Sequence, residues 1–139
     1  MSQATIFIVE DDEEFTQLLR VRLESAGHRV LSTVNGDEAL GLIQTRLPDL
    51  VVLDVFLPDT DGLTILKRLK APIDIETGKA SRTKDIPVVV LTGKAPMIEN
   101  MTRLEGAADF FVKPIDMSKL TKCICQLLEL KQHDAEPKS

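Results

Sequence analysis

Polar side chains that can do chemistry stand directly after apolar runs at four places in the chain. Glu10 and Asp11 follow the first run, Asp54 follows the third, and Thr92 and Lys113 follow the fourth and fifth. Carboxylates can bind a cation, while an ammonium and a hydroxyl can pair with a phosphoryl group. If the runs are parallel strands of one sheet, their carboxyl ends lie together. The five side chains then meet in the crevice where such sheets bind ligands.

The apolar runs that must position these side chains are short and largely β-branched or aromatic, which is typical of strands. Five such runs occur, at residues 6–9, 30–34, 50–53, 88–91 and 110–112. Four of them lack a clean alternation of apolar and polar residues, as expected for strands that helices cover on both faces. The second run contains Ser32 and Thr33 and therefore has the pattern of an edge strand.

Segments with helical spacing of apolar residues alternate with these runs. The predicted helices are residues 13–26 with Phe15, Leu18, Leu19 and Leu23 on one face, residues 37–46 with Leu40 and Ile43, a segment after Gly62 with Leu63, Leu66 and Leu69, a segment beginning near Pro96 with Met97, Met101 and Leu104, and residues 117–130 with Leu120, Ile124, Leu127 and Leu128. This alternation predicts an α/β architecture, in which right-handed crossovers place helices on both faces of a parallel sheet.

The composition is that of one globular domain. Of the 139 residues, 43% are hydrophobic and 28% are charged, and the formal net charge is −5. We expect a single domain over residues 1–130 with a short polar tail at 131–139. The chain has no signal sequence and no apolar run near the ~20 residues of a membrane-spanning helix, which predicts a cytoplasmic protein without membrane insertion. The negative charge predicts no direct contact with nucleic acid.

The two cysteines are expected to be reduced. Cys123 and Cys125 stand two residues apart in a predicted helix, where their side chains point to different faces. The two histidines, His28 and His133, are isolated in the sequence, so the spacing of a zinc site is missing. We interpret both thiols as ordinary helix residues.

The clustered carboxylates constrain the chemistry, because they repel one another unless a cation neutralises them or some take up protons. Mg2+ is the cation that best suits one or two carboxylates combined with phosphate oxygens. An aspartate beside Mg2+ can attack a phosphoryl group, and Asp54 is the best candidate for that nucleophile. Lys113 and Thr92 are candidates to ion-pair with and hydrogen-bond to the phosphoryl oxygens. Residues 12–14 have a simpler interpretation as negative charge at a helix N-terminus.

A series of motifs resembles a response-regulator receiver domain. They are Val-Glu-Asp-Asp at 9–12, Asp-Leu-Val-Val-Leu-Asp at 49–54, Leu-Pro-Asp-Thr-Asp-Gly at 57–62, Pro-Val-Val-Val-Leu-Thr-Gly at 87–93 and Gly-Ala-Ala-Asp-Phe-Phe-Val-Lys-Pro at 106–114. Any one of them alone is a weak signal, whereas all of them in this order are a strong one. The resemblance covers about residues 6–128. It implies a flavodoxin-like, doubly wound, five-stranded parallel sheet in the order 2-1-3-4-5 with five helices.

The resemblance also implies a phosphorylation-controlled signalling switch. Asp54 would accept phosphate from a sensor histidine kinase or a histidine phosphotransfer protein. Mg2+ would be bound by Asp11, Asp54 and the backbone carbonyl of Phe56, with Glu10 acting through water. Such a domain is a regulatory phosphoacceptor rather than an enzyme, with at most slow Mg2+-dependent autodephosphorylation.

In receiver domains a conformational change transmits the phosphorylation signal from the phosphoacceptor site to the output surface. By resemblance, Thr92 would shift toward the phosphoryl group and Phe110 would change rotamer. The output face would be the fourth helix, fifth strand and fifth helix, acting on an unknown downstream effector from a monomer or a phosphorylation-dependent dimer. The resemblance further implies a cis peptide bond between Lys113 and Pro114.

Several positions depart from the family pattern. Phe110 stands where many receivers have tyrosine, so either its ring position alone signals or it is a plain core residue, like Phe111. Phe56 and Lys94 occupy two variable positions that tune dephosphorylation, and an apolar Phe56 predicts a long-lived phosphoryl group. Residues 71–85 are longer and more polar than this connection usually is. They are either a partner-binding loop or a mobile, tolerated insertion.

Other functions fit the sequence less well. A phosphatase of the haloacid dehalogenase type would carry its nucleophile in an Asp-X-Asp pair after the first strand, whereas Asp54 follows the third. A flavin-binding electron carrier would need a hydroxyl- and glycine-rich loop where this chain has residues 10–14, whose charge repels phosphate. The remaining alternative is a receiver-like interaction module that is not phosphorylated.

Overall fold

The computed structural model describes residues 3–57, 61–93 and 106–135, with side chains to residue 131. In chain order the elements are β1 Thr5–Val9, α1 Glu13–Ser25, β2 Arg29–Thr33, α2 Gly36–Arg46, β3 Leu50–Asp54, α3 Gly62–Lys70, β4 Val88–Thr92, β5 Asp109–Val112 and α4 Met117–Ala135. The helix predicted near Pro96 lies outside the described residues, so α4 is the fifth of the predicted helices.

The five strands form one parallel sheet in the order β2-β1-β3-β4-β5. Val9 pairs with Leu53, Asp54 with Leu91, and Thr92 with Val112, so the carboxyl ends of the four strands β1, β3, β4 and β5 are level with one another. The prediction of an α/β sheet in this order is confirmed, and so is the edge position of β2. This register is what brings residues far apart in sequence to a single crevice.

The core has two layers because successive side chains of a strand point to opposite faces of the sheet. In β1, Phe7 and Val9 pack on one side with residues of α2 and α3. Ile6 and Ile8 pack on the other side with residues of α1 and α4. Every residue of β3 and β4 is buried, which explains why these strands read as unbroken apolar runs.

The helices differ in detail from their predicted apolar faces. Leu18 was predicted to face the core, but it is 60% exposed, whereas Leu19 and Leu23 are fully buried. Adjacent residues lie about 100° apart around a helix, so a face centred on residues 19 and 23 turns Leu18 toward solvent. In α2 the small residue Ala39 is buried together with Ile43.

The end of the sheet leads into the last helix through a cis peptide bond between Lys113 and Pro114, as predicted. The helix then begins at Met117 and continues to Ala135, beyond residue 130 where the prediction ended it. Lys131 Nζ donates to the backbone carbonyl of Asp49 at 3.1 Å, which ties α4 to the amino end of β3.

Candidate functional site

Glu10 is buried directly after β1. Its backbone N–H donates to the Thr33 carbonyl at 3.2 Å, and its Oε1 accepts the Asp12 N–H at 3.1 Å. The Asp12 carboxylate in turn accepts the N–H of Phe15 and caps the N-terminus of α1. The local hydrogen bonds therefore fix the Glu10 carboxylate in the crevice and use Asp12 for the helix, as the sequence predicted for residues 12–14.

Asp54 is the last residue of β3 and is only 1% exposed. Its Oδ1 accepts the backbone N–H of Phe56 at 2.8 Å, which fixes the orientation of the carboxylate. The first turn of α3 packs tightly against this segment, because a Cβ at Gly62 would lie 2.4 Å from the Val55 Cα and 2.6 Å from the Asp54 carbonyl oxygen. Gly62 therefore allows the close approach that holds the end of β3 in place.

Lys113 joins the two buried carboxylates. Its Nζ lies 3.0 Å from Asp54 Oδ2 and 3.2 Å from each oxygen of Glu10, donating a hydrogen bond to Oε1. Its backbone N–H donates to the carbonyl of Thr92 at 2.8 Å, so the end of β5 is fastened to the end of β4. Thr92 itself is buried at the end of β4.

The charges in the crevice act on one another. Burial raises the pKa of Glu10 from 4.5 to about 7; the negative charge of Asp54 raises it as well, while the Asp12 amide and Lys113 lower it. Burial lowers the pKa of Lys113, but the hydrogen bonds and charges of Asp54 and Glu10 outweigh burial and raise that pKa above its usual value. One ammonium therefore offsets only part of the negative charge of this site.

The residues present fit a magnesium ion. Ligand oxygens of Glu10, Asp11 and Asp54 all lie within 4.8 Å of one another, and Asp11 is exposed at the mouth of the crevice. Glu10 Oε2 is buried and accepts no hydrogen bond from the described residues. This oxygen ion-pairs with Lys113, an ammonium that it shares with Asp54, and so retains capacity to bind a cation. Such an oxygen beside two further carboxylates is the donor set that a hard cation with retained waters requires.

The remaining predicted residues lie around this cluster. Phe56 follows the end of β3 with 45% of its surface exposed. Phe110 is half-buried against the core layer of α2 and α3, while Phe111 packs into the opposite layer. Lys94 lies outside the described residues.

Two features of the site were not anticipated. The role of Gly62 in the close approach of α3 to β3 is the first, although an Asp-Gly pair before an apolar helix signals a tight helix start. The second is the contact of Lys113 with Glu10, since Lys113 was expected to act on phosphate only and its distance from Glu10 depends on strand order rather than on spacing in the sequence. Cys123 and Cys125 are free cysteines on α4 and lie outside this site.

Comparison with known proteins identifies the family. A model of the response regulator receiver domain matches residues 6–125. The transcriptional regulatory protein AfsQ1 of Streptomyces coelicolor is 34% identical over 80% of this chain and 45% of its own length. The alkaline phosphatase synthesis transcriptional regulatory protein PhoP of Bacillus subtilis is 32% identical over 96% of this chain and 53% of its own length.

A solved structure agrees. The signal receiver domain of a DNA-binding response regulator from Colwellia psychrerythraea matches with a TM-score of 0.79 and 31% identity, covering 91% of this chain and 99% of that one. This chain spans about half the length of the curated relatives it matches. None of the helices in the described ranges has the length and apolar composition needed to cross a bilayer. The chain belongs to the response-regulator receiver domain family of two-component signalling, whose function is phosphorylation-controlled signal transduction.

Proposed function

We propose that Asp54 is the phosphoacceptor of this receiver domain and that Glu10, Asp11, Thr92 and Lys113 assist the transfer. The observation that carries the proposal is the position of the Asp54 carboxylate. It is buried at the end of β3, 3.0 Å from the Lys113 ammonium and within 4.8 Å of two further carboxylates. No other aspartate in the described ranges combines these contacts.

The chain's own groups can perform the transfer. A carboxylate oxygen of Asp54 attacks the phosphorus of a phosphohistidine, the P–N bond breaks, and the leaving imidazole takes up a proton. The Lys113 ammonium pairs with the negative phosphoryl oxygens, and the Thr92 hydroxyl donates a hydrogen bond to them. Mg2+ held by Asp11, Asp54 and the Phe56 carbonyl, with Glu10 through water, would neutralise charge on the transferring oxygens.

The partners follow from this chemistry. The phosphodonor is a sensor histidine kinase or a histidine phosphotransfer protein, and output passes to a downstream effector through the surface of the predicted fourth helix, β5 and α4. Thr92 and Phe110 would undergo the conformational change that links phosphorylation of Asp54 to this output surface. Relatives of this chain are named as transcriptional and DNA-binding regulators, so the expectation that this protein makes no direct contact with nucleic acid gains no support. A cytoplasmic location and a monomer or phosphorylation-dependent dimer complete the proposal.

A receiver-like interaction module that is never phosphorylated is the weaker alternative. It gives no reason for three carboxylates to lie together with one lysine between two of them, an arrangement that costs free energy unless a cation or a phosphoryl group neutralises or uses these charges. A family member with this cluster intact is better explained as an active phosphoacceptor.

Intact mass after incubation with acetyl phosphate tests the proposal. We expect one phosphoryl adduct in the presence of Mg2+, none after EDTA, and none in Asp54→Asn. Asp49→Asn is the matched control, because Asp49 accepts the Thr5 N–H at the opposite edge of the sheet. An adduct that persists in Asp54→Asn would refute the assignment. Absence of both an adduct and Mg2+ binding in the unaltered chain would favour the interaction module.

A further inference from the structure

The segment between α3 and β4 is an ordered hairpin. Its two arms meet at an antiparallel bridge between Ile73 and Ala80, and Ser81 N–H donates to the Pro72 carbonyl at 2.9 Å. Asp74 N–H donates to the Lys79 carbonyl at 2.9 Å. The sequence left two interpretations of residues 71–85 open, a partner-binding loop and a mobile, tolerated insertion. These contacts favour the first, because they hold the segment in a defined conformation. We call residues 72–83 the α3–β4 hairpin.

Hydrogen bonds also attach the hairpin and the residues that follow it to the end of α3. The buried Thr83 hydroxyl donates to the Leu69 carbonyl at 2.8 Å. The Lys70 ammonium donates to the carbonyls of Lys84 and Ile86, in the segment that leads into β4. A surface held in this way loses little conformational entropy when a ligand binds it, which is a requirement for an effective docking site.

A cleft of about 490 Å³ lies between the hairpin and the last turns of α2 and α3. Both carboxylates that line it are engaged. Glu76 is paired with Arg68 at 3.2 Å, and Asp74 Oδ2 accepts a hydrogen bond from Gln44 at 3.5 Å. The cleft is therefore large enough for a side chain or short segment of a partner, and its negative groups are already neutralised or bonded.

Two cations that line the same cleft are not engaged. The exposed side chains of Lys79 and Arg82 have no ion-pair or hydrogen-bond partner among the described residues. Residues 67–85 contain six lysine or arginine residues and three carboxylates, although the whole chain has a formal net charge of −5. The end of α3 and the hairpin, residues 67–85, together form a locally basic surface on an acidic protein, and the two unpaired cations of the hairpin complement a negative partner.

Exposed isoleucines accompany these cations. Ile73, at the antiparallel bridge, and Ile75, in the turn that follows it, are 50% and 74% exposed. Small anions and nucleic-acid backbones offer nothing to cover aliphatic side chains of this kind. A protein segment that carries both carboxylates and a large apolar residue would satisfy the cations and the isoleucines together.

We propose that the α3–β4 hairpin docks an acidic segment of a partner protein, with carboxylates entering the cleft toward Lys79 and Arg82 and an apolar residue covering Ile73 and Ile75. The site lies at the amino edge of the sheet, because α2 and α3 both end there, whereas Asp54 lies at the carboxyl edge. Docking therefore leaves the crevice free, and the proposal does not depend on phosphorylation of Asp54.

Selection of peptides by the unphosphorylated full chain tests this proposal. The immobilised chain is used to select from a phage-displayed random peptide library, and the selected peptides are labelled with fluorescein for anisotropy titration. We expect the enriched sequences to be acidic with a large apolar residue, and their affinity to fall with added NaCl because the charges are exposed. Lys79→Ala, Arg82→Ala and Ile75→Ser should each weaken binding by about fivefold or more.

Controls keep the outcome interpretable. Lys119→Ala removes an exposed lysine on α4, away from the hairpin, and should leave the affinity unchanged. Urea unfolding midpoints equal to that of the unaltered chain exclude loss of folding, and phosphorylation by acetyl phosphate should be the same in all variants. Failure to enrich acidic peptides, or enriched peptides indifferent to all three substitutions, would overturn the proposal. So would Arg82-dependent binding of a single-stranded oligonucleotide or of pyrophosphate without any peptide binding.

Discussion

At the scale of single residues, the site depends on a balance between burial and charge. Glu10 and Asp54 are almost completely buried, burial raises the pKa of Glu10, and the single ammonium of Lys113 pairs with both carboxylates. The crevice therefore has more negative than positive charge. Binding of Mg2+ to the carboxylates, and then of a phosphoryl group to Asp54, can each change the contacts that Lys113 makes. Strand-end residues predicted this constellation, but the sharing of Lys113 by two carboxylates required the strand order.

Phe56 should control how long the phosphoryl group survives. Its side chain is 45% exposed beside Asp54, where an apolar ring can screen the phosphoryl group from water. In Phe56→Asn an amide can bind the attacking water, and one hydrogen bond of about 1 kcal/mol corresponds to roughly fivefold faster decay. The decay is followed by intact mass after removal of the phosphodonor. Phe56→Leu should behave like the unaltered chain, and an unchanged decay rate in Phe56→Asn would count against screening.

Cys123 should be a slow nucleophile in the folded protein. Burial raises the pKa of its thiol from 9.0 to about 12, assisted by a hydrogen bond to Asp109 at 3.4 Å and by the charge of that carboxylate. Since the thiolate is the reactive form, alkylation at pH 8 should be about a hundredfold or more slower than in the urea-unfolded chain. The rate should still be rising with pH above 9.

Iodoacetamide labelling of a Cys125→Ser background isolates this thiol. Asp109→Asn removes the negative charge and should accelerate the reaction, because the thiolate is then less disfavoured. Folded and unfolded rates that agree within about tenfold would be incompatible with the raised pKa.

At the scale of elements, the buried strands were the most predictable part. Their predicted bounds lie within one residue of those observed, because strands covered on both faces read as apolar runs. The face of α1 was less certain from sequence, since Leu18 and Leu19 are neighbours and only packing decides which one is buried. The hairpin was not predictable, because its order comes from contacts such as Thr83 with the Leu69 carbonyl rather than from an apolar pattern.

Gly62 should be sensitive to the addition of a single methyl group. A Cβ would lie 2.4 Å from the Val55 Cα, and backbone cannot move aside as a flexible side chain can. We expect Gly62→Ala to lower the free energy of unfolding by about 1–3 kcal/mol. It should also slow phosphorylation by acetyl phosphate, because α3 would press on the end of β3. Urea denaturation measures the first effect.

Gly41→Ala is the matched control. Gly41 lies in α2, and a Cβ added there would meet no other atom within 4 Å, so alanine should be neutral or stabilise the helix by up to about 1 kcal/mol. Equal unfolding free energies for the two variants would contradict the close approach at Gly62.

At the scale of the whole molecule, the sheet separates two surfaces of opposite character. The carboxyl edge gathers Glu10, Asp11 and Asp54, while the amino edge carries the basic stretch of residues 67–85, which includes the α3–β4 hairpin. Parallel topology makes this separation possible, since every crossover returns the chain to the amino edge before the next strand begins. A domain with this layout can receive phosphate at one end and hold a protein partner at the other.

Asp54 is the proposed site of phosphorylation, and chemical mapping of the modified residue tests this assignment. After incubation with acetyl phosphate and Mg2+, sodium borohydride reduces an aspartyl phosphate to a stable alcohol, and peptide mass spectrometry locates the change. We predict a Mg2+-dependent modification confined to Asp54. Modification of another carboxylate, such as Asp11, or an equal yield at Asp54 without Mg2+ would contradict the account.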